Sequence, residues 1–267
     1  MEHLAPAAAY WFMLPACVII ASVAVFAGIS GATMLLPLFF LLFPAFGVPA
    51  LSPRQAVDAS LFLQVSAFGL AVYRYARRGL VRWDVVRSVG MVSVPAAILG
   101  AVVAPRVPDP AFRLLFAAGL IATAPLLLRP RPIGPQPTGG RLSLPQMGLA
   151  GGIGGLFTGI VSAGVGETTI PVLSRRGLPM PVVSATATVL VAATVGAAIV
   201  VTAVRLASVG ALGALAWPVI AWGTPGAVLG EELAVRSQGR IPERPVRVFF
   251  GGLFLVIAGA FVALGLR

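Results

Sequence analysis

The stretch "GIVSAGVGETTIPVL" at residues 159–173 interrupts a chain that is otherwise mostly apolar. Its first eleven residues hold three glycines, one serine, two threonines and one glutamate, and Pro171 follows closely. Because glycines commonly end helices, the stretch predicts a break between two helices. A carboxylate in such a break is costly to remove from water. Glu167 therefore binds something, carries a proton or marks a loop that reaches water.

The composition identifies the environment of this break. Of the 267 residues, 58% are hydrophobic and 10% are charged, and the mean hydropathy is +0.99. Apolar runs of about twenty residues recur along the chain, which is the length that crosses a bilayer. The net charge is +11, and all nineteen basic residues are arginines that cluster in the gaps between these runs. This positive-inside pattern predicts a multi-pass membrane protein, in contact with the lipid bilayer and without a nucleic-acid partner.

Residue types that support metal and acid/base chemistry are scarce in the sequence. Cys17 is the single cysteine and lies in an apolar run, and His3 is the single histidine. The sequence contains no HExxH motif and no Ser-His arrangement. We therefore expect no metal, no cofactor and no enzymatic activity.

The apolar runs predict an all-α polytopic membrane protein. The seventh of ten predicted segments is too short to span the bilayer and is expected to be re-entrant. A linker rich in Pro, Gly and Arg, residues 129–144, separates an N-terminal transmembrane repeat, 1–128, from a C-terminal one, 145–267. The predicted segments are 7–26, 32–46, 55–73, 86–104, 112–128, 145–162, 167–174, 181–204, 211–230 and 246–265.

The two halves look like copies of each other. "FAGISGATMLLPL" matches "FTGIVSAGVGETTIPV", which aligns Pro37 with Pro171 after a three-residue insertion. Further on, "PAAILG" from Pro95 matches "PGAVLG" from Pro225. The matches keep the same order, which predicts an internal duplication in which each half contains a Gly-broken hairpin.

Arginines in matching gaps predict the relative orientation of the halves. Residues 74–87 contain five arginines, whereas the matching gap has only Arg205. In the next pair of matching gaps the bias reverses. The gap in the first half has only Arg106, whereas residues 236–244 in the second half contain three arginines. Opposite biases predict two inverted-topology repeats of about five segments each. We expect residues 74–87, 129–141 and 236–244 to face the cytoplasm.

The two Gly-rich breaks followed by Leu/Ile-Pro, the duplicated "P…LG" spans and the basic gap after the third span resemble the TauE/SafE sulfite exporter family. The resemblance extends from about Val23 to Leu264. It implies a transporter of sulfite, sulfoacetate or related sulfur-containing anions in the bacterial cytoplasmic (inner) membrane. In place of the family's consecutive glycines, the breaks read "GISGAT" and "SAGVGET", with bulkier and acidic residues.

The two breaks are the predicted anion site. A helix that starts inside the membrane leaves its first N–H groups unpaired at the positive end of its dipole, and glycines let an oxyanion approach the backbone. Small residues also permit close helix packing, so that alternative stays open. The candidate substrate-binding residues are Gly28, Ser30, Gly31, Thr33, Ser162, Gly164, Gly166, Thr168, Thr169 and Thr186.

Glu167 and Asp58 are the candidate proton-coupling residues. An ionised Glu167 would repel an anion, whereas a protonated one could bind a proton together with the anion and release both. The alternative is a carboxylate that caps Thr168 or Thr169 and faces water. Asp58 is expected to pair with Arg54 one turn earlier, with a proton or ligand role as the alternative.

Other polar and aromatic residues have simpler predicted roles. Glu231 and Glu232 are expected as solvated loop charges. Four aromatic residues near the predicted span ends are expected to form an aromatic belt at the membrane surface, namely Tyr10, Trp11, Trp83 and Trp217.

Together these features predict a secondary transporter of a small inorganic or organosulfur anion, such as sulfite or an organosulfonate, that works by alternating access with proton coupling as an option. The family resemblance implies that the direction of transport is export. The alternative is an anion channel or an uptake transporter for sulfate- or thiosulfate-like anions. A homo-oligomer is compatible with the sequence.

Overall fold

A computed structural model describes residues 6–128, 142–238, 240 and 243–265. Across these ranges the chain is helical and contains no strand, which confirms the predicted all-α fold. Residues 129–141 of the predicted linker lie outside the described residues.

The first half begins with a broken hairpin and continues with three longer helices. A 3-10 turn at Ala7–Tyr10 precedes the hairpin, and α2 continues without a gap through turns at Leu38–Leu42 and Phe43–Phe46. The helices are α1 (Met13–Ala27), α2 (Ala32–Pro37), α3 (Pro53–Arg77), α4 (Trp83–Val103) and α5 (Asp109–Leu128).

The second half has the same order of elements. Its first span is α6 (Leu144–Met147), which continues through a π-helical turn at Gly148–Ile153 into α7. The helices that follow are α7 (Gly154–Val161), α8 (Val165–Arg175), α9 (Met180–Ser208), α10 (Trp217–Ser237) and α11 (Glu243–Gly265).

Five stretches of the described chain are long and apolar enough to cross a membrane. By contrast, α8 has 11 residues. At a rise of about 1.5 Å per residue it is about 16 Å long, roughly half of the hydrocarbon core, which agrees with a re-entrant segment. The five candidate spans are Ala7–Ala27, Pro53–Arg77, Trp83–Arg106, Leu144–Val161 and Met180–Ser208.

The predicted span at 211–230 is displaced in the structure. Its helix, α10, begins at Trp217 and ends at Ser237. A 3-10 turn at Leu212–Ala214 occupies the start of the predicted span. Pro218 suits the first turn of α10, where its missing N–H costs no hydrogen bond, so the helix starts there and not earlier.

Glycines allow two helix pairs to pack with their backbones in contact. A Cβ built at Gly155 of α7 would clash with the backbone carbonyl of Ser93 in α4. In the same way, a Cβ at Gly226 of α10 would clash with the carbonyl of Leu14 in α1. Small residues at helix interfaces permit this close approach in membrane proteins. The pairs α4–α7 and α1–α10 fix the positions of both broken hairpins.

One of the four residues predicted to form an aromatic belt does not lie at the protein surface. Trp11, Trp83 and Trp217 are exposed. Tyr10 is fully buried, and its ring lies 5.8 Å from that of Phe43, so its predicted place in the belt is wrong. The large apolar ring surface of Tyr10 is buried in the core instead.

Candidate functional site

The two breaks meet in the interior of the protein. The first break, residues 28–31, separates α1 from α2, and the second break, residues 162–164, separates α7 from α8. A Cβ built at Gly166 would lie 2.5 Å from the carbonyl oxygen of Gly28 and 3.0 Å from the Cα of Ile29. The start of α8 therefore lies directly on the backbone of the first break.

Both breaks begin with a residue in the left-handed conformation. Gly28 ends α1 with φ 77°, and Ser162 ends α7 with φ 63°. Gly28 faces the backbone of Ser184 in α9, where a Cβ would come within 2.8 Å of the Ser184 Cα. Ser162 is the only non-glycine residue with positive φ among the described residues, and such a conformation persists where neighbouring contacts hold it.

The Glu167 carboxylate joins the two breaks. It is 3% exposed and accepts four hydrogen bonds. The Ser30 N–H donates to Oε1 over 3.0 Å and the Ser30 hydroxyl donates to Oε2 over 3.2 Å. The Thr33 hydroxyl donates to Oε1 over 2.6 Å, and the Gly164 N–H donates to Oε2 over 2.9 Å. Glu167 therefore does not face water; it caps the start of α8 at Gly164 and binds the first break through Ser30 and Thr33.

These four donors carry no charge. In the described part of the chain no arginine forms an ion pair with Glu167. A buried carboxylate without a counter-cation depends on hydrogen bonds and on helix dipoles for its stabilisation. The local structure is thus one that binds an oxyanion with neutral donors.

Gln64 of α3 forms a second connection between the breaks. Its side-chain oxygen accepts the N–H of Gly31 over 2.9 Å. Its amide nitrogen donates to the hydroxyl of Ser162 over 2.8 Å and to the Ser162 carbonyl over 3.2 Å. This contact explains how the left-handed Ser162 is held. The sequence interpretation missed Gln64 as a site residue, although an amide within an apolar span is a signal because it is costly to bury without partners.

A cavity of about 350 Å³ borders the second break. It lies between α5, α7 and α8. Gly164, Glu167 and Thr168 form its polar part, together with Thr123 of α5. The remaining lining is apolar and includes Phe116, Leu120, Leu149, Ile153, Phe157 and Val161.

Three other predicted ligands, Thr168, Thr169 and Thr186, differ in their contacts with the breaks. Thr168 donates its hydroxyl to backbone carbonyls of its own hairpin, including that of Ala150 over 3.1 Å. The Thr169 hydroxyl is buried and has no hydrogen-bond partner. Thr186 accepts the N–H of Arg82 over 3.1 Å, so it contacts the loop between α3 and α4 and not the breaks.

Asp58 has a different partner from the predicted one. Its carboxylate lies 3.4 Å from Nη2 of Arg205, at the end of α9. Arg54 instead donates to the carbonyl of Pro105, so the predicted Arg54–Asp58 pair is wrong. Asp58 faces α9 across the α3–α9 contact, whereas Arg54 extends to the turn after α4.

Glu231 is also placed differently from the prediction. It lies within α10 and is fully buried, so the expectation of a solvated loop charge is wrong. Its carboxylate lies 3.4 Å from Nη1 of Arg74 in α3, and this partner offsets part of the cost of burial. Glu232, next in the chain, pairs with Arg74 and Arg236.

Comparison with known proteins gives a family-level result. No curated protein and no solved structure matches the chain. The family model described as "Sulfite exporter TauE/SafE" matches residues 13–261, which include both breaks and all ten predicted segments in whole or in large part. This confirms the resemblance inferred from the breaks and duplicated spans. The chain belongs to the TauE/SafE sulfite exporter family of membrane transporters.

Proposed function

We propose that this protein is a secondary transporter that exports a small sulfur-containing anion, such as sulfite or an organosulfonate, across the bacterial cytoplasmic membrane. The observation that carries the proposal is the meeting of two intramembrane helix starts around one buried oxyanion, the Glu167 carboxylate, in a member of a sulfite exporter family. Helix starts and hydroxyl groups supply donors suited to sulfur oxyanions without a buried arginine.

The helix contacts support a duplicated architecture, with repeats 1–128 and 145–267 joined by a cytoplasmic linker at 129–144. Helix α1 packs on α10 as α7 packs on α4, and α10 packs on α3 as α4 packs on α9. Exchanging the two halves therefore exchanges these contacts. Together with the reversed arginine bias, this pattern supports inverted repeats.

Inverted repeats also suggest how the protein works. The proposed site lies where the two broken hairpins touch, so movement of one repeat against the other opens it to each side of the membrane in turn. Glu167 and Asp58 are the candidate carriers of a coupled proton, because carboxylates inside membrane proteins often serve proton movement.

Counterflow in proteoliposomes tests the function and the substrate together. Vesicles loaded with unlabelled anion are diluted into labelled sulfite, sulfate, thiosulfate or sulfoacetate. The proposal expects transient accumulation of labelled sulfite or sulfoacetate. No accumulation of any of the four contradicts the proposal, and a current that follows voltage without counterflow favours an anion channel. Accumulation of sulfate or thiosulfate alone favours the uptake-transporter alternative.

A further inference from the structure

We infer that the donors around Glu167 are the oxyanion site of this transporter, and that the Glu167 carboxylate occupies the site in this conformation as an internal anion that the transported anion replaces. The inference rests on the proposed function. It adds that Glu167 occupies the predicted site and competes with the transported anion for the same donors.

The donor set is built from both halves of the chain. Ser30 supplies its N–H and its hydroxyl, Thr33 supplies a hydroxyl, and Gly164 supplies an N–H from the other break. These groups hold the two oxygens of one carboxylate. A sulfite or sulfonate group presents oxygens of the same hydrogen-bonding character, so the same donors can hold it.

The occupant and the transported anion cannot use these donors at once. Each Glu167 oxygen accepts two of the four hydrogen bonds. Two anions brought together in a buried site also repel each other strongly, because the local dielectric is low. Binding of the transported anion therefore requires the Glu167 carboxylate to leave the donors or to become neutral.

The structure provides a route for this exchange. The cavity of about 350 Å³ has Gly164, Glu167 and Thr168 in its wall. An anion can approach the carboxylate from the α5 side, and the Glu167 side chain has space into which it can turn.

The test removes the internal anion. Glu167→Ala leaves the four donors without their acceptor, and the shorter side chain leaves room for a small carboxylate. We expect formate to raise the unfolding temperature of purified full-length Glu167→Ala but not that of the wild type. We also expect the variant to bind sulfite about tenfold more tightly than the wild type, because the competing hydrogen bonds to a charged group are gone. Glu232→Ala, which removes a partly exposed carboxylate on α10, is the matched control and should not respond to formate.

The outcomes separate the inference from the proposed function. A folded Glu167→Ala that ignores formate and binds sulfite as the wild type does overturns the inference. Formate stabilisation of Glu167→Ala without sulfite binding to either protein supports the oxyanion site but contradicts sulfite as the substrate. If Glu167→Ala does not fold, Glu167→Gln removes the charge that competes with the transported anion and should bind sulfite about tenfold more tightly than the wild type. Unchanged affinity of Glu167→Gln would then overturn the inference.

Discussion

The hydroxyl of Thr33 donates a 2.6 Å hydrogen bond to the carboxylate of Glu167, 134 positions further along the chain. Pro37 and Pro171, which the sequence repeat aligns, have the same separation. Thr33 and Glu167 therefore occupy matching positions in the two proposed repeats, and they are in direct contact. Contact between counterparts is expected near an axis that relates two repeats, which is where transporters of this architecture bind their substrates.

The role of Gln64 can be tested through stability. Gln64→Leu keeps the size of the side chain but leaves the N–H of Gly31 and the polar groups of Ser162 without their partner. We expect a loss of about 1 to 3 kcal/mol in the free energy of unfolding, the usual cost of a buried unpaired polar group. Thermal unfolding in detergent measures it. Ser66→Ala, which removes a local hydroxyl bond on the same helix, is the control and should change stability by less than about 0.5 kcal/mol. Equal effects of both substitutions would show that Gln64 does not connect the breaks.

The partner of Asp58 can be tested by a double-mutant cycle. Asp58→Asn and Arg205→Gln remove the two members of the 3.4 Å pair between α3 and α9. We expect a coupling free energy of about 1 kcal/mol, since the Arg205 side chain is 31% exposed and water weakens the attraction. The same cycle with Arg54→Gln should give a smaller coupling than Arg205→Gln, because Arg54 bonds to the carbonyl of Pro105. Stronger coupling of Asp58 to Arg54 than to Arg205 would contradict the structure.

The sequence predicted the helices and breaks of the fold better than the hydrogen-bond and ion-pair partners of individual polar side chains. Glycine positions and hydropathy located both breaks, and the second helical segment at residues 32–46 agrees with the structure, because backbone termination depends on local sequence. The predictions for Asp58 and Glu231 failed because their arginine partners lie in distant parts of the chain. Gln64 was missed for the same reason, since both of its partners depend on how the hairpins pack against α3.

The inverted orientation can be tested by labelling from outside the cell. Arg77→Cys places a thiol at the end of α3, and Val209→Cys places one just after the end of α9, in a background where Cys17 is replaced by alanine. Both positions are exposed, and they lie at the C-terminal ends of α3 and α9, which are counterparts in the proposed repeats. We expect an impermeant maleimide to label Val209→Cys in intact cells and Arg77→Cys only after lysis. Labelling of both positions from the same side would contradict inverted repeats.

Proton coupling can be tested at Glu167 because its carboxylate is the acidic group that joins the breaks. Glu167→Gln keeps the shape of the side chain and fixes a neutral state. We expect this variant to exchange labelled sulfite for sulfite but to lose the acceleration of net flux that a pH gradient gives the wild type. Asp58→Asn, at the other candidate carboxylate, is measured in parallel. A Glu167→Gln variant that responds to the gradient as the wild type does would exclude Glu167 as the coupling group.

The central claim is that the meeting point of the two breaks binds the transported anion. Sulfite counterflow with Glu167→Ala and Glu167→Ala/Thr33→Val tests it most directly, because no internal carboxylate then competes for the Thr33 hydroxyl, and Thr33→Val removes this donor while preserving the shape of the side chain. We predict that labelled sulfite accumulates in vesicles containing Glu167→Ala or Glu167→Ala/Ser66→Ala, and that Glu167→Ala/Thr33→Val needs about tenfold more sulfite for the same rate. Sulfite counterflow by Glu167→Ala/Thr33→Val that matches Glu167→Ala at every concentration would contradict the claim.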